Sequence, residues 1–406
     1  MPYRGGVDPD SAPLSTWQVL LRSVENVPLI NLWWPIAFGV LTLLLIVAAV
    51  MVVRRHHRWW LILIVPIAVV SLLFTVGFAV NYQFSGVTTL GKLLGVPPYD
   101  PGSPDQLANP TGTWPRGQVI ETTIPGPTSG VGTHFAMVYL PPQYYTDRDA
   151  TFPVIYALHG TPGGPDPRGE EAGPYDIFVN SDVDNPAAAT AKVGRPVVII
   201  APMVSPMSLD TECVDGPMGN WATYLTKDVP AWAAQYPRLR TGPANTAIGG
   251  FSMGGTCAQV TALRNPGQYS ISGNLSGSPK AANDGGDAVL FGTGPGAAKA
   301  ADYDSTAIIT SQPEARSVRL WLGVGTGDGE PGLVADMTQF AATAKSLGMT
   351  VEFTTYPGGH SFDVWRPAFE DWIRWAAELL YREPGTDGPT PSPPSSSTSS
   401  SSSSSP

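Results

Sequence analysis

Hydrophobic and polar positions divide the chain into stretches of different character. Two runs without a charged residue, 33–53 and 59–80, come early and are separated only by the basic stretch 54–58. At about 1.5 Å per residue, each run is long enough to form a helix across the roughly 30 Å apolar core of a bilayer. Each run also carries a tryptophan pair at one end, which is typical of membrane interfaces. The pattern therefore predicts a transmembrane hairpin over 33–80.

The stretch between the two runs indicates how this hairpin is oriented. It contains Arg54, Arg55 and Arg58, whereas the sequences that flank the hairpin are far less basic. Because arginine near a membrane span favours the cytoplasmic side, residues 1–32 and the chain beyond the hairpin are predicted to be extracytoplasmic. The composition is rich in alanine, glycine, proline and arginine, which is typical of GC-rich bacterial genomes. We therefore expect a multi-pass protein of a bacterial cell membrane.

Two other segments are poor in periodic apolar positions. Prolines are frequent over 81–115, which predicts a linker that lifts the next domain off the membrane. Residues 383–406 change from proline, serine and threonine to almost pure serine, a composition that predicts a disordered tail. The range 116–382 is left as the folded catalytic domain.

Within that domain, short apolar runs alternate with stretches long enough for helices. The predicted strands are 154–158, 196–201, 245–249, 317–324 and 350–356. The predicted helices include 221–235, 253–264, 332–347 and 363–381. This alternation predicts an α/β fold, a three-layer sandwich with a mostly parallel sheet. In such folds, ligands bind at the carboxyl ends of the strands.

Charge and composition exclude several classes of function. The net charge of −10 argues against a nucleic-acid-binding surface, which needs clustered lysine and arginine. With 44 glycines and 42 prolines among 406 residues, a coiled coil or helical repeat array is excluded as well. The sequence has no P-loop, no Rossmann fingerprint and no convincing cluster of metal ligands. We therefore expect neither a cofactor nor a metal.

A candidate nucleophile stands at the centre of a G-x-S-x-G pattern at 250–254, where the serine is Ser252. A strand-like run precedes it and a helix-like stretch follows, which is the context that a nucleophile elbow requires. Small residues let the chain make a strained turn there and expose the hydroxyl above the sheet.

A serine nucleophile needs a base, and the chain has five histidines. His56 and His57 fall in the cytoplasmic connection, and His134 begins a strand-like run where a structural role is expected. His360 lies in a glycine-rich loop between the last predicted strand and the last helix. The chain order serine, acid, histidine then makes His360 the predicted base.

The acid should lie between Ser252 and His360, after the strand at 317–324. Asp328 and Glu330 both follow that strand. Asp328 is favoured because it is nearer the strand end, and Glu330 remains the alternative acid.

His159 begins a glycine-rich loop directly after the predicted strand 154–158. Such a loop can present one backbone N–H to an oxyanion, while the residue after the nucleophile presents another. Thr161 would be the first donor, because Pro162 has no N–H, and Met253 would be the second. The alternative is a glycine-rich turn without a role.

The chain has two cysteines. Cys213 lies beyond the strand at 196–201, and Cys257 lies on the helix after Ser252. In an extracytoplasmic domain, a disulfide between them is expected to tie that loop to the nucleophile helix. Two buried, unpaired thiols are the alternative, since spacing alone does not fix the Cα distance.

Four stretches in order make the sequence similar to the esterase D and antigen 85-like branch of the α/β-hydrolases. They are LHG at 158–160, GFSMGG at 250–255 continuing through ALRNP at 262–266 to LSG at 275–277, GTGD at 325–328, and GHSF at 359–362. The resemblance implies an α/β-hydrolase fold with Ser252 as nucleophile, His360 as base and Asp328 as acid. The mycolyltransferases of the group use a glutamate slightly further along, which keeps Glu330 as an alternative.

Members of this branch are carboxylic ester hydrolases or acyltransferases that act on acylated sugars, cell-envelope lipids or S-formylglutathione. Together with the predicted hairpin, in which the sequence departs from this branch, the resemblance implies a membrane-anchored serine esterase for cell-envelope or acylated-sugar esters. The alternatives are a mycolyltransferase-like acyltransferase of envelope glycolipids and a non-catalytic envelope-binding protein that retains the fold. The stretch 165–175 has no match to the mycolyltransferase sugar site, so a mycolyl or trehalose substrate is not supported.

Overall fold

A computed structural model describes four stretches of the chain. These are residues 27–94, 96–161, 173–206 and 209–382. Most of the expected extracytoplasmic segment, 1–26, and the expected disordered tail, 383–406, lie outside the described residues.

Ten strands of the described residues form one mixed sheet, and two more pair separately. The strands are β1 (Pro101–Gly102), β2 (Gln118–Gly126), β3 (Gly132–Leu140), β4 (Phe152–Leu158), β5 (Val198–Pro202), β6 (Asp215–Gly216), β7 (Gly219–Asn220), β8 (Leu239–Arg240), β9 (Thr246–Phe251), β10 (Ile271–Leu275), β11 (Arg319–Gly325) and β12 (Val351–Tyr356). The order across the large sheet is β1-β2-β3-β5-β4-β9-β10-β11-β12, with β8 beside β4. β3 is antiparallel to both of its neighbours. The six strands on the β5 side of it are parallel to one another, and they are β5, β4, β9, β10, β11 and β12. The carboxyl ends of the central strands therefore share one edge.

Helices precede this sheet and cover both of its faces. The α-helices are α1 (Trp33–Arg54), α2 (Leu61–Phe84), α3 (Leu90–Leu93), α4 (Gln143–Thr146), α5 (Gly173–Tyr175), α6 (Asp184–Lys192), α7 (Trp221–Thr223), α8 (Val229–Ala233), α9 (Met253–Arg264), α10 (Asp287–Phe291), α11 (Ser305–Ser311), α12 (Leu333–Ser346) and α13 (Phe362–Leu380). Core side chains of α9, α11 and α12 pack on one face, and those of α6 and α13 pack on the other. The predicted three-layer α/β architecture is confirmed.

Close packing of α13 brings the start of that helix to the carboxyl edge of the sheet. Its apolar residues recur at helical spacing, and Trp372 lies over Gly249 of β9 and Gly273 of β10. A Cβ at either glycine would lie 2.3 Å from the indole, so only glycine allows this approach. The loop before α13 carries His360.

The predicted strands start and end within two residues of observed ones, but the sequence pattern missed β10. Ser272 and Asn274 interrupt its apolar run, although both are buried. Asn274 is satisfied because its amide donates to Gln259 Oε1 at 2.9 Å and to Gly277 O at 3.0 Å. The stretch 221–235, predicted as one helix, has a π-helical turn between α7 and α8.

The first two helices pack against each other as the predicted hairpin. Trp34 of α1 stacks on Phe78 of α2 with ring centroids 5.5 Å apart, and the Thr42 and Ser71 hydroxyls are 2.9 Å apart. Most other side chains of both helices are apolar and exposed. By length and composition, both helices could cross a membrane.

The proline-rich stretch 81–115 differs from the expected spacer. α2 continues to Phe84, Tyr99 and Leu107 are buried, and β1 pairs with β2. Prolines end helices and lack a donor, but they do not prevent the apolar side chains between them from packing. Residues ahead of the predicted start at 116 therefore pack on the folded domain.

Candidate active site

Ser252 lies in the sharp turn between β9 and α9. Its φ of 54° and ψ of −130° are a conformation that costs on the order of 1–3 kcal/mol for a residue other than glycine. Glycines on both sides make room for the turn, because a Cβ on Gly250 or Gly254 would lie 2.3 Å from the Leu158 carbonyl oxygen. The Ser252 N–H donates to Leu275 O at 2.8 Å and ties the turn to β10. This is the strand-turn-helix geometry expected of a nucleophile elbow.

His360 and Asp328 lie beside this serine. His360 Nε2 is 2.9 Å from Ser252 Oγ, and its Nδ1 is 3.0 and 3.1 Å from the two carboxylate oxygens of Asp328. A carboxylate only accepts, so Nδ1 carries a ring proton, and in the neutral imidazole Nε2 is then the nitrogen that accepts from the serine hydroxyl. The structure brings these three predicted residues together in one hydrogen-bonded series.

Asp328 is held in its ionised form. Its side chain is 0% exposed, whereas that of His360 is 21% exposed. Burial alone would raise the pKa of Asp328, but the hydrogen bond and charge of His360 and the Glu330 N–H at 3.2 Å together lower that pKa below its usual value. The ionised carboxylate can therefore orient the imidazole and stabilise its protonated form.

Glu330, the alternative acid, occupies a different position. The residue is exposed, and it reaches the site through its backbone N–H, which donates to Asp328 Oδ1. The carboxylate hydrogen-bonded to His360 Nδ1 is that of Asp328.

His360 is held in place by a backbone hydrogen bond and by aromatic packing that the sequence analysis did not predict. The Gly327 N–H donates to Gly358 O at 2.8 Å, which joins the acid loop to the histidine loop. The His360 ring stands edge-on to Trp365 with centroids 4.9 Å apart, and Trp365 stacks on Phe251 at 4.5 Å. Phe251 directly precedes the serine, so one aromatic cluster contacts both the histidine loop and the end of the strand that leads into the serine turn. Aromatic residues at helical spacing are the only sequence signal of this cluster, and they are equally typical of a core.

Met253 and the residue before Thr161 lie beside Ser252. Met253 is the first residue of α9, where N–H groups have no acceptor within the helix. A Cβ on Gly160 would lie 3.0 Å from Ser252 Cβ, so the chain after β4 abuts the turn. Thr161 comes next and is half-buried. The rest of the glycine-rich loop, 162–172, lies outside the described residues.

The other two histidines of the domain have structural contacts. His159 is fully buried, its Nδ1 donates to Gly160 O at 2.8 Å, and its Nε2 accepts the Val204 N–H at 3.1 Å. Burial lowers the pKa of His159 to about 4, so the ring is neutral. Through its two hydrogen bonds, His159 links the end of β4 to the chain beyond β5. His134 of β3 packs against the ring of Trp221, with centroids 5.1 Å apart.

Comparison with known families matches residues 133–376 to the family described as "Putative esterase". The chain belongs to this family. The match runs from β3 into α13 and so includes the serine turn, the acid loop and the histidine loop. The resemblance drawn from four short stretches is confirmed at the level of the family.

Curated relatives of this family member each match more than half of the chain. An uncharacterized protein of Corynebacterium glutamicum is 27% identical over an alignment of 276 residues that covers 64% of this chain and 62% of that protein. An esterase of Mycobacterium tuberculosis is 24% identical over an alignment of 260 residues that covers 58% of this chain and 54% of that protein. The chain thus spans between half and two-thirds of the length of these relatives.

Solved structures share the fold of the esterase-family domain. A ferulic acid esterase superposes with a TM-score of 0.54 at 17% identity, over 64% of this chain and 98% of its own. A fluorophosphonate-binding serine hydrolase of Staphylococcus aureus gives 0.52 at 17% identity, over 67% of this chain and 100% of its own. An S-formylglutathione hydrolase of Agrobacterium tumefaciens gives 0.52 at 20% identity, over 66% of this chain and 98% of its own. These neighbours confirm the α/β-hydrolase fold.

In this esterase-family chain, Cys213 and Cys257 are joined in a disulfide with their Cα atoms 5.3 Å apart. The bond links the segment after β5 to the second turn of α9. It therefore braces the helix that begins directly after Ser252.

Glu212 is a buried acid beside this disulfide that sequence reasoning missed. Its carboxyl hydrogen-bonds with Thr256 of α9, and its Oε2 has no hydrogen-bond partner among the described residues. Burial, reinforced by the negative charge of Asp210, raises the pKa of Glu212 well above its usual value. Asp210 has its own pKa raised to about 6 by burial and by Asp284. Glu212 is therefore a neutral acid in the folded protein, and its sequence context carries no signal of this.

Replacing this acid is expected to change how stability depends on pH. The raised pKa means that unfolded Glu212 ionises at lower pH than folded Glu212, so the wild type loses stability as pH rises through that window. Glu212→Gln removes this dependence, because glutamine does not ionise. The loss in the wild type is about 1.4 kcal/mol in the free energy of unfolding for each pH unit between the unfolded and folded pKa values of Glu212. The unfolding temperature of the variant should therefore gain on the wild type as the pH rises above 4.5, the ordinary pKa of glutamic acid. The exposed Glu314→Gln is the control, and a Glu212→Gln difference that is constant with pH would contradict the neutral state of Glu212.

Proposed function

We propose that this chain is a membrane-anchored serine carboxylic ester hydrolase. The observation that carries the proposal is the hydrogen-bonded series of Ser252, His360 and Asp328 at the carboxyl edge of the sheet. Membership of the esterase family supports the same class of reaction. A hydroxyl on a strained turn, an imidazole within hydrogen-bond distance of it and an ionised carboxylate behind the imidazole are what activation of a serine requires.

In the proposed reaction, Ser252 Oγ attacks the ester carbonyl carbon while His360 Nε2 takes the hydroxyl proton. The Met253 and Thr161 N–H groups donate to the oxyanion. The intermediate then collapses, its bond to the alcohol oxygen breaks, and His360 protonates the departing alcohol. Water attacks the acyl-enzyme with His360 again as base, which releases the carboxylic acid and restores the serine. Asp328 stays ionised throughout.

The hairpin supports anchoring of the enzyme in a membrane. Both helices are long and apolar enough to span a bilayer, and their outward side chains are exposed. The basic connection 54–58 favours the cytoplasmic side, which supports a catalytic domain outside the cytoplasm. A disulfide between Cys213 and Cys257 fits that oxidising location. Cell-envelope and acylated-sugar esters are the substrates available there.

The test is a library of esters with different acyl and alcohol groups, given to the full chain in detergent micelles. We expect hydrolysis of at least one ester class, with release of the free acid. Folded protein that turns over no ester would support the non-catalytic envelope-binding alternative. Adding a sugar alcohol measures the fate of the acyl group, and transfer to that alcohol in preference to water would make the chain an acyltransferase.

A further inference from the structure

The hairpin and the helix that follows His360 meet at a polar joint. We define the joint as Ser85, Lys92, Asp182, Asp363 and Arg366. Ser85 follows α2 directly, is fully buried, and donates its hydroxyl to Asp363 Oδ2 at 2.5 Å. Asp363 lies in the first turn of α13, three residues after His360. The end of the hairpin is therefore bonded to the beginning of the active-site helix.

Arg366 makes the most extensive contacts of this joint. It lies one turn beyond Asp363 on α13, and its side chain is 18% exposed. It donates hydrogen bonds to Asn180 O at 2.6 Å, to Ser85 O and to Gly86 O at 3.4 Å, and it forms ion pairs with the carboxylates of Asp182 and Asp363 at 3.7 Å each. One planar guanidinium therefore contacts the segments 85–86 and 180–182 and its own helix, α13. Because its donors have a fixed geometry, it fixes both the distance and the rotation between these segments.

A second ion pair lies beside this guanidinium. Lys92 of α3 is largely buried and pairs with Asp182 at 2.8 Å. Burial lowers the pKa of Lys92, although its pairing with Asp182 opposes this. The segment after the hairpin is thus bound to the domain both through Ser85 and through Lys92.

The joint lies where the chain leaves the proposed membrane. Phe84, the last residue of α2, is 53% exposed, and Leu93 and Leu94 just beyond it are 52% and 48% exposed. Exposed apolar residues at the end of a span fit the bilayer interface. Asp363 is the third residue after His360, so at most about 11 Å of chain lies between the proposed base and the joint.

We propose that the joint holds the active site at the membrane surface, so that the enzyme takes an amphiphilic ester inserted in that bilayer. The inference rests on the proposed ester hydrolase function and adds the physical state of the substrate. A flexible connection would let the active site turn in any direction, whereas a fixed joint keeps it beside bilayer-bound ester at high effective concentration. Arg366 is in this sense a positioning residue.

The test compares two substrates for the full chain reconstituted in phosphatidylcholine vesicles. The soluble ester is 4-nitrophenyl acetate, and the bilayer ester is 4-methylumbelliferyl oleate incorporated in the same vesicles. We expect Arg366→Ala to lower kcat/KM about tenfold for the bilayer ester and less than about twofold for the soluble ester. Arg374→Ala is the matched control, because Arg374 is on the same helix, is more exposed and bonds to Asp371 outside the joint. It should leave both rates unchanged.

A second variant keeps the test decisive if Arg366→Ala does not fold. Eight glycine and serine residues inserted between Phe84 and Ser85 retain all five joint residues but detach the domain from the helix, and we expect the same selective loss. Equal losses on both substrates, or full activity on the bilayer ester after either change, would overturn the inference. A wild type that hydrolyses neither ester would instead overturn the proposed function, and this inference with it.

Discussion

His360→Ala is expected to lower ester turnover by about a thousandfold or more. Without the imidazole, the Ser252 hydroxyl keeps its proton, and the departing alcohol has no donor. The measurement is kcat/KM on a soluble ester, together with the unfolding temperature of each protein. The side chain is 21% exposed, so the fold should survive the change.

His57→Ala is the control for this experiment. His57 is an exposed histidine in the connection of the hairpin, far along the chain from the serine turn, and its loss should leave turnover unchanged. Substantial turnover by His360→Ala would remove His360 from the proposed mechanism.

Asp328→Asn is expected to reduce kcat/KM by roughly 10²- to 10⁴-fold. Asparagine retains the shape of aspartate, but its amide can donate to His360 Nδ1 and so favour the wrong tautomer of the ring. It also lacks the negative charge that stabilises the protonated imidazole. Kinetics of the purified variant, with unfolding temperature as the check on folding, measures this effect.

Glu330→Gln is the matched variant for the same question. The Glu330 side chain is exposed, and its contribution to the site is a backbone N–H that glutamine keeps. We therefore expect a change of less than about threefold. A large loss in Glu330→Gln with near-normal Asp328→Asn would reverse the assignment of the acid.

Features that depend on local sequence could be predicted well. Buried parallel strands are continuous apolar runs, and the strained turn at Ser252 needs small residues at fixed offsets, so both leave a pattern in the sequence. The position of His360 followed from chain order in the fold. The sequence allowed only a preference for Asp328 over Glu330. Which of the two carboxylates reaches His360 is set by how the acid loop folds against the histidine loop.

Features that depend on distant contacts were missed. Ser85 and Asp363 are 278 residues apart in the chain, and neither has a local pattern that indicates the other. The stretch 81–115 was predicted to be a spacer because it is rich in proline and its apolar residues follow no regular period. Some of these apolar residues, such as Tyr99 and Leu107, are nevertheless buried against the domain. Asn274 made β10 look polar, since the groups that satisfy its amide become neighbours only after folding.

The proposed nucleophile is tested most directly by a fluorophosphonate probe followed by peptide mass spectrometry of the full chain. Such a probe labels a serine hydroxyl that a neighbouring base activates. We predict one adduct on the peptide that contains Ser252, with labelling lost in Ser252→Ala and strongly slowed in His360→Ala. A folded protein with an accessible active site and no adduct at Ser252 would contradict the proposed enzyme.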